Sequence, residues 1–293
     1  MAQAKLALLC FAAVLSASCG RTPSAEEGQF RMTWTKVRMA GERTGVTAVA
    51  GDNVCNALGS IDADGVYHAP NGRAFSCGST PAVAKSLLDA QPSLAYLKEV
   101  IGHSPREMGK NRKPLQGPLA NWSVDAIMLG VEAATGKKAD VGLLNYGGIR
   151  KDMPEGDVLI DDIVSMFPFK NYLTWVQLKG SDLRALLESM AKGKLQAIGG
   201  AKVVVKGHEI VSIEVGGSPL DDNALYGLAT IDFLLDGGDG VKAARNAKQL
   251  IISDVKVNEW LVPYVRSLTA AGKDVEAFED DRVTYIDEEE AKR

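Results

Sequence analysis

Apolar positions recur along the chain at two periods. From Ala82, Val83, Leu87, Leu88, Leu94, Leu97, Val100 and Ile101 fall at helical spacing, which predicts two helices divided at Pro92. A further helix is predicted over Asn121–Thr135, with Trp122, Val124, Ile127, Met128 and Val131 as its inner stripe. Gly136 ends it, and Lys137 and Lys138 suit a helix C-terminus. Val141–Leu144 reads as a short buried strand and Val158–Met166 as a helical turn. Leu173–Leu178 reads as a strand, followed by a helix opened at Gly180-Ser181 with Ser181 as its cap. Val203–Val205 and Ile210–Val215 flank Lys206-Gly207 as a hairpin, and Leu225–Thr230 is another strand. Val257, Leu261, Tyr264, Val265 and Leu268 share one helical face, where Pro263 calls for a kink or a late start. Phe278–Ile286 reads as a closing strand. Trp34, Trp122, Trp175 and Trp260 are assigned to core or interface positions.

The chain's start has a different texture. Lys5 precedes the apolar run Leu6–Leu15, and the small residues Ser16-Ala17-Ser18 lead to Cys19. That is the layout of a signal peptide, too short to span a bilayer as a permanent helix. Small residues directly before a cysteine resemble the lipobox of bacterial lipoproteins, which implies lipidation of Cys19 and anchoring to a bacterial membrane facing the periplasm or cell surface. The expected organisation is a signal peptide over 1–18, a tether and small irregular module over 19–80, and one domain over 81–293. In that module Asp64-Gly65 and Asn71-Gly72 are turn signals. Cys55 and Cys77 remain as an even pair in an oxidising compartment, so a disulfide between them is expected. The net charge of −4 over 293 residues gives no electrostatic reason to expect nucleic acid.

The chemistry gathers in two stretches. In the first, an apolar run ends in Asn145, followed by Gly147-Gly148 and Arg150, and then by Pro168-Phe169-Lys170-Asn171. Glycines let backbone approach a ligand, and a guanidinium fork matches a phosphate or carboxylate. In the second, Phe233 precedes Asp239 in Phe-Leu-Leu-Asp-Gly-Gly-Asp-Gly. Taken singly, each motif reads more simply as a tight turn, an ion pair of Arg150 with Asp152 or Asp157, or a core aromatic.

Together, in this order and spacing, Asn145-x-Gly-Gly-Ile-Arg150, Pro168-Phe169-x-Asn171 and Phe233…Asp239 resemble the C-terminal, substrate-binding domain of the bacterial 5′-nucleotidase and UDP-sugar hydrolase family. The resemblance runs from about Leu97 to Ile286. It implies an α+β fold of layered mixed sheets with covering helices. It also implies that Phe169 and Phe233 sandwich a base, Asn171 bonds the base edge, Asp239 accepts from ribose hydroxyls and Arg150 faces a phosphate. Asn145, Gly147 and Gly148 complete that substrate-binding set. Arg112 and Lys113 stand near positions where the family has further arginines, and Gln116 stands where it commonly has a glutamate.

The complete enzymes of that family begin with a metallophosphoesterase domain, whose ligands hold two metals and activate a water. Here the histidines are His68, His103 and His208 only, and His208 sits in a turn signal. Neither a nucleophile elbow nor a P-loop is present. The sequence therefore offers no catalytic residues, no metal ligands and no cofactor. Three readings follow. The first is a lipid-anchored nucleotide- or nucleoside-recognising protein of nucleotide catabolism, with divalent metal supplied through a separate metallophosphoesterase chain. The second is a non-catalytic surface scaffold with a vestigial pocket. The third is a hydrolase in its own right, which phosphate release with divalent metal and no partner would support.

Overall fold

The computed structural model describes residues 58–110, 116–193 and 195–286. The chain divides into two compact units, Met1–Asp89 and Ala90–Arg293. The signal segment, Cys19, Trp34 and Cys55 lie outside the described residues, as do Arg112 and Lys113. Cys77 is exposed and has no disulfide partner among the described residues.

In the first unit, β1 (Ser60–Ile61), β2 (Tyr67–His68) and β3 (Ala74–Phe75) form an antiparallel sheet, followed by α1 (Thr80–Ala90). Both turn signals make turns. Asp62 Oδ1 accepts from the N–H groups of Asp64 and Val66, and Gly65 takes the left-handed φ of 79°. Asn71 Oδ1 accepts from Arg73 N–H beside Gly72 at φ 82°.

The second unit is α+β. Its strands are β4 (Val100–Ser104), β5 (Val141–Leu144), β6 (Gly156–Leu159), β7 (Tyr172–Lys179), β8 (Ala197–Gly199), β9 (Ala201–Lys206), β10 (Glu209–Val215), β11 (Ser218–Pro219), β12 (Leu225–Ile231), β13 (Gln249–Lys256) and β14 (Val283–Ile286). Its helices are α2 (Pro118–Thr135), α3 (Ile160–Met166), α4 (Gly180–Ala191) and α5 (Val257–Ala270). A five-stranded mixed sheet runs β13-β7-β12-β5-β8, with β5 and β12 parallel and the other neighbours antiparallel. All of β5 is buried, as its unbroken Val-Gly-Leu-Leu run requires. α2 lies close against this sheet: a Cβ on Gly142 would stand 2.7 Å from the Met128 side chain. That helix is buried nearly all round between Leu119 and Val131, and Gly136 closes it at φ 66° with its N–H on Glu132 O. A four-stranded sheet, β11-β10-β9-β14, holds the expected hairpin, and β4 and β6 pair separately.

The helix expected after Pro92 is replaced by a 3₁₀ segment, Gln91–Lys98, and by β4. Val100 and Ile101 continue the helical spacing, but the pairing of β4 with β6 outweighs it. The helical turn expected at Val158–Met166 divides into the end of β6 and α3. Ser181 is not a cap: the helix already begins at Gly180, and Lys179 at the cap position makes no side-chain bond. Pro263 causes no late start. It sits inside α5 at an exposed position. The closing strand begins at Val283 rather than Phe278, which is exposed beneath the Arg106 guanidinium at 4.3 Å.

Candidate functional site

β5 delivers Asn145 to the end of the central sheet, and a 3₁₀ turn, Tyr146–Gly148, follows at once. The turn closes through Gly148 N–H to Asn145 O at 3.0 Å and is pinned by Gln196 Oε1, which accepts from Tyr146 N–H at 3.1 Å. Glycine is needed here because the site packs directly against this backbone. A Cβ on Gly148 would lie 2.9 Å from Asn145 Oδ1, and one on Gly147 would lie 3.1 Å from Asp239 Oδ2.

Arg150 is held by its backbone N–H on Met166 O at 2.9 Å. Its guanidinium donates to Gly147 O at 3.2 Å and stands 5.9 Å from the centre of the Phe169 ring. The ion pair with Asp152 or Asp157 is not formed; Asp152 instead accepts from Lys110 N–H at 2.6 Å. Lys110 also reaches back through Nζ to Arg150 O at 2.7 Å.

Two phenylalanines at the end of α3 take opposite fates. Phe167 is buried, whereas Phe169, beyond Pro168, is 46% exposed. Asn171 then enters β7, its carbonyl accepting from Val257 N–H at 3.0 Å. Phe233 lies in the 3₁₀ turn Asp232–Leu234 that follows β12, and is 45% exposed. Neither ring is spent on core packing, although both are large apolar groups that burial would stabilise. The loop after Phe233 folds back on it, and a Cβ on Gly238 would stand 2.0 Å from Phe233 O. Asp239 follows at φ 48°, between Gly237 at 102° and Gly240 at 78°. An αL aspartate is uncommon, and the two glycines make the tight loop possible.

Asn145 Nδ2 donates to Asp239 Oδ2 at 2.7 Å. Asn145 Oδ1 is buried against Gly148 without a hydrogen-bond partner among the described residues. Asn145, Gly147, Gly148, Arg150, Phe169, Asn171, Phe233 and Asp239 together line one cavity of about 280 Å³. These are the eight residues that the three motifs nominate, brought together from three stretches of chain. That lining combines a cation, a carboxylate and two half-exposed aromatic rings.

One residue that the motifs did not nominate organises this set. Asp232 Oδ1 accepts from Tyr172 N–H at 3.0 Å and from Phe233 N–H at 2.9 Å. A single carboxylate oxygen thereby ties the start of β7 to the turn that carries Phe233. Gln116 is the other buried organiser. Its Nε2 donates to Asn121 Oδ1 and Ile198 O, and its Oε1 accepts from Ile198 N–H, each at 2.8 Å. It therefore ties the start of α2 to β8 and does not line the cavity.

The histidines are occupied elsewhere. His68 Nε2 meets Asp62 Oδ2 at 2.7 Å, His103 Nδ1 meets Asp274 Oδ1 at 3.2 Å, and His208 is exposed at the β9–β10 turn. Among the described residues no three His, Cys, Asp or Glu side chains gather as a metal site. Among the described residues no helix is long and apolar enough to cross a membrane.

Residues 100–246 match the family described as 5′-nucleotidase, C-terminal domain. The UshA protein of Yersinia enterocolitica is 32% identical over 107 residues, covering 35% of this chain and 20% of that protein. A 5′-nucleotidase of Vibrio cholerae is 26% identical over 145 residues, covering 48% of this chain and 26% of that protein. Among solved structures, the 5′-nucleotidase precursor of Thermus thermophilus superposes with a TM-score of 0.61 at 25% identity, covering 75% of this chain and 48% of that one. The chain thus spans about a fifth to a quarter of the length of the curated relatives named here.

Proposed function

The chain belongs to the 5′-nucleotidase C-terminal domain family, and from that premise we propose that its cavity holds a nucleotide or nucleoside. In this reading the base lies between Phe169 and Phe233, with Asn171 at its edge. Asp239 accepts from the ribose hydroxyls through the carboxylate oxygen that Asn145 leaves open. Arg150 faces the phosphate, and Arg112 and Lys113 belong to the same end. The observation that carries this is the joint lining of one 280 Å³ cavity by both half-exposed rings, the carboxylate and the arginine. Open aromatic faces suit a base because every base offers a π-face. A cavity of this size suits one nucleoside rather than a macromolecule.

Phosphoester hydrolysis, in the same reading, is performed by a separate metallophosphoesterase chain that supplies the metals. This chain contributes binding and orientation: it holds the base, fixes the ribose and presents the phosphate. We further read it as exported and lipid-anchored through Cys19, with Cys55 bridged to Cys77.

The test is calorimetry of the purified chain with ATP, AMP, adenosine and UDP-glucose. Saturable binding of at least one is expected, weakened in Phe169→Ala by about 1–3 kcal/mol, the contribution of one base-stacking ring. Silence towards all four ligands overturns the reading and leaves a vestigial pocket on a surface scaffold.

A further inference from the structure

The loop that carries Phe233 and Asp239 has a second side. Beyond Gly240 it runs Val241-Lys242-Ala243-Ala244-Arg245-Asn246, stapled by Ala243 N–H to Leu234 O at 2.9 Å and by Ala244 N–H to Leu235 O at 3.1 Å. Val241 and Ala243 are buried, which leaves Lys242 and Arg245 exposed on the outer side. Asn246, at φ 62°, pins the loop to α4 by donating from Nδ2 to Asp182 Oδ1 at 2.8 Å.

Between this loop and α4 lies a cavity of about 440 Å³, distinct in lining from the one that holds Phe169 and Phe233. From α4 it takes Asp182, Ala185, Leu186 and Ser189, spaced along one helical face. Leu178 and Ala243, both buried, form an apolar floor. Lys242 and Arg245 also line a neighbouring cavity of about 420 Å³, so the two cations stand on the wall between two hollows.

The charge balance is the informative part. Neither Lys242 nor Arg245 has a side-chain ion pair or hydrogen bond among the described residues, unlike Lys138, Lys151, Lys202, Arg184 and Arg282. The one carboxylate lining the larger cavity, Asp182, already has an oxygen engaged by Asn246. Lys242 and Arg245 thus line a concave, partly apolar surface without an ion pair among the described residues, with Asp182 as the carboxylate of the larger cavity and Asp236 that of the neighbouring one. A guanidinium fork beside an ammonium, with the Ser189 hydroxyl opposite, is a donor-rich set for a tetrahedral oxyanion.

We propose that this cleft is a second binding site, for a phosphate group, either free or carried on a small organic ester. It is separate from the proposed nucleotide site and does not depend on it. The two share only the loop, with Asp239 facing one cavity and Gly240 lining the other.

The test is a titration of the ¹⁵N-labelled chain with inorganic phosphate, ionic strength being held with sodium chloride. The signals followed are the amides of Lys242, Ala243 and Arg245 and the Nε–H of Arg245. A saturable shift is expected, weakened by about tenfold or more in Lys242→Gln/Arg245→Gln, as loss of charge-assisted hydrogen bonds requires. It should persist in Phe169→Ala, which separates this site from the nucleotide reading. Glycerol 3-phosphate, run in parallel, distinguishes the sources: tighter binding assigns the site to an ester, and equal or weaker binding assigns it to the free ion. A shift that is linear in concentration, that survives the double variant, or that centres on Arg150 overturns the proposal. Should the double variant lose its fold, Ser189→Glu substitutes for it; this change sets a negative charge on the exposed opposite wall, and unaltered phosphate binding in it overturns the proposal equally.

Discussion

Asn145 and Asp239 are joined side chain to side chain at 2.7 Å across 94 positions of sequence. The bond links the end of the central strand to a loop whose backbone is held in an unusual conformation. It leaves one Asp239 oxygen for a ligand and fixes where that oxygen points.

Replacing the amide tests this directly. Asn145→Ala should weaken nucleotide binding with little change in the aromatic walls. Asn145→Asp should be worse near neutral pH, since two carboxylates would then share the contact. Protonation of one restores a hydrogen bond between them, so affinity in that variant should recover as the pH is lowered. Calorimetry across a pH series reads this, and a flat profile contradicts it.

Asp232 is expected to matter by geometry rather than charge. Its Oδ1 accepts from Tyr172 and Phe233 N–H groups, and an Asn side chain can accept from both in the same way. Asp232→Ala should destabilise the chain by about 1 kcal/mol, the net range for hydrogen bonds that are part-buried or exposed, and should loosen nucleotide binding. Asp232→Asn should retain most of both. Chemical denaturation and calorimetry on the pair give the comparison.

The glycines of the site should differ in their sensitivity. At Gly238 a Cβ would meet backbone, Phe233 O, at 2.0 Å, so Gly238→Ala must displace the loop and the Phe233 ring. At Gly147 the nearest atom is the end of the Asp239 side chain at 3.1 Å, which can yield. Gly238→Ala should therefore lower both thermal stability and affinity, while Gly147→Ala should lower affinity alone. Thermal melts with and without ligand distinguish the two outcomes.

Acid stability should depend on Arg282. Its guanidinium donates to Asp125 at 2.8 Å and to Asp280 at 2.7 Å. Burial alone would push the Asp280 carboxyl up, but the hydrogen bonds and charge of Arg282 outweigh it and hold it below the usual range. A carboxyl lowered in the folded state adds stability above its unfolded value of about 3.9, and that stability is lost as pH falls through the folded value. Arg282→Ala should cost about 1 kcal/mol near neutral pH, from lost charge-assisted bonds discounted because Asp125 and Asp280 both remain part-exposed to water. Its loss of stability on acidification should be shallower than that of the parent chain. Denaturant midpoints measured from neutral pH down to strong acid check both parts.

The pocket was legible because its residues are of types that a strand end or a turn seldom assembles by chance in that order. Asn145, the paired glycines, Phe169, Phe233 and Asp239 lie on short motifs whose spacing survives in the folded chain. What could not be read is whatever depends on a partner distant in sequence. Asp232 looks like an ordinary turn residue until Tyr172 is placed beside it. Gln116 looks like loop until Ile198 offers it both a donor and an acceptor. Val100 and Ile101 look helical because only β6 supplies the reason to be a strand. Lys242 and Arg245 carry no pattern at all; that they line two cavities without an ion pair among the described residues is something a linear sequence does not display.

The parallel pairing of β14 with β9 has a consequence for how this unit assembles. Val283 lies opposite Val203, and Arg282, one residue earlier, reaches across to Asp125 on α2. Parallel neighbours cannot be joined by a tight turn, and the chain between these two strands includes β12, β13 and α5. Contacts this distant in sequence form late, because the intervening chain must first be brought together. The pairing of β14 with β9 therefore waits on that closure, as does the parallel pairing of β5 with β12 in the central sheet.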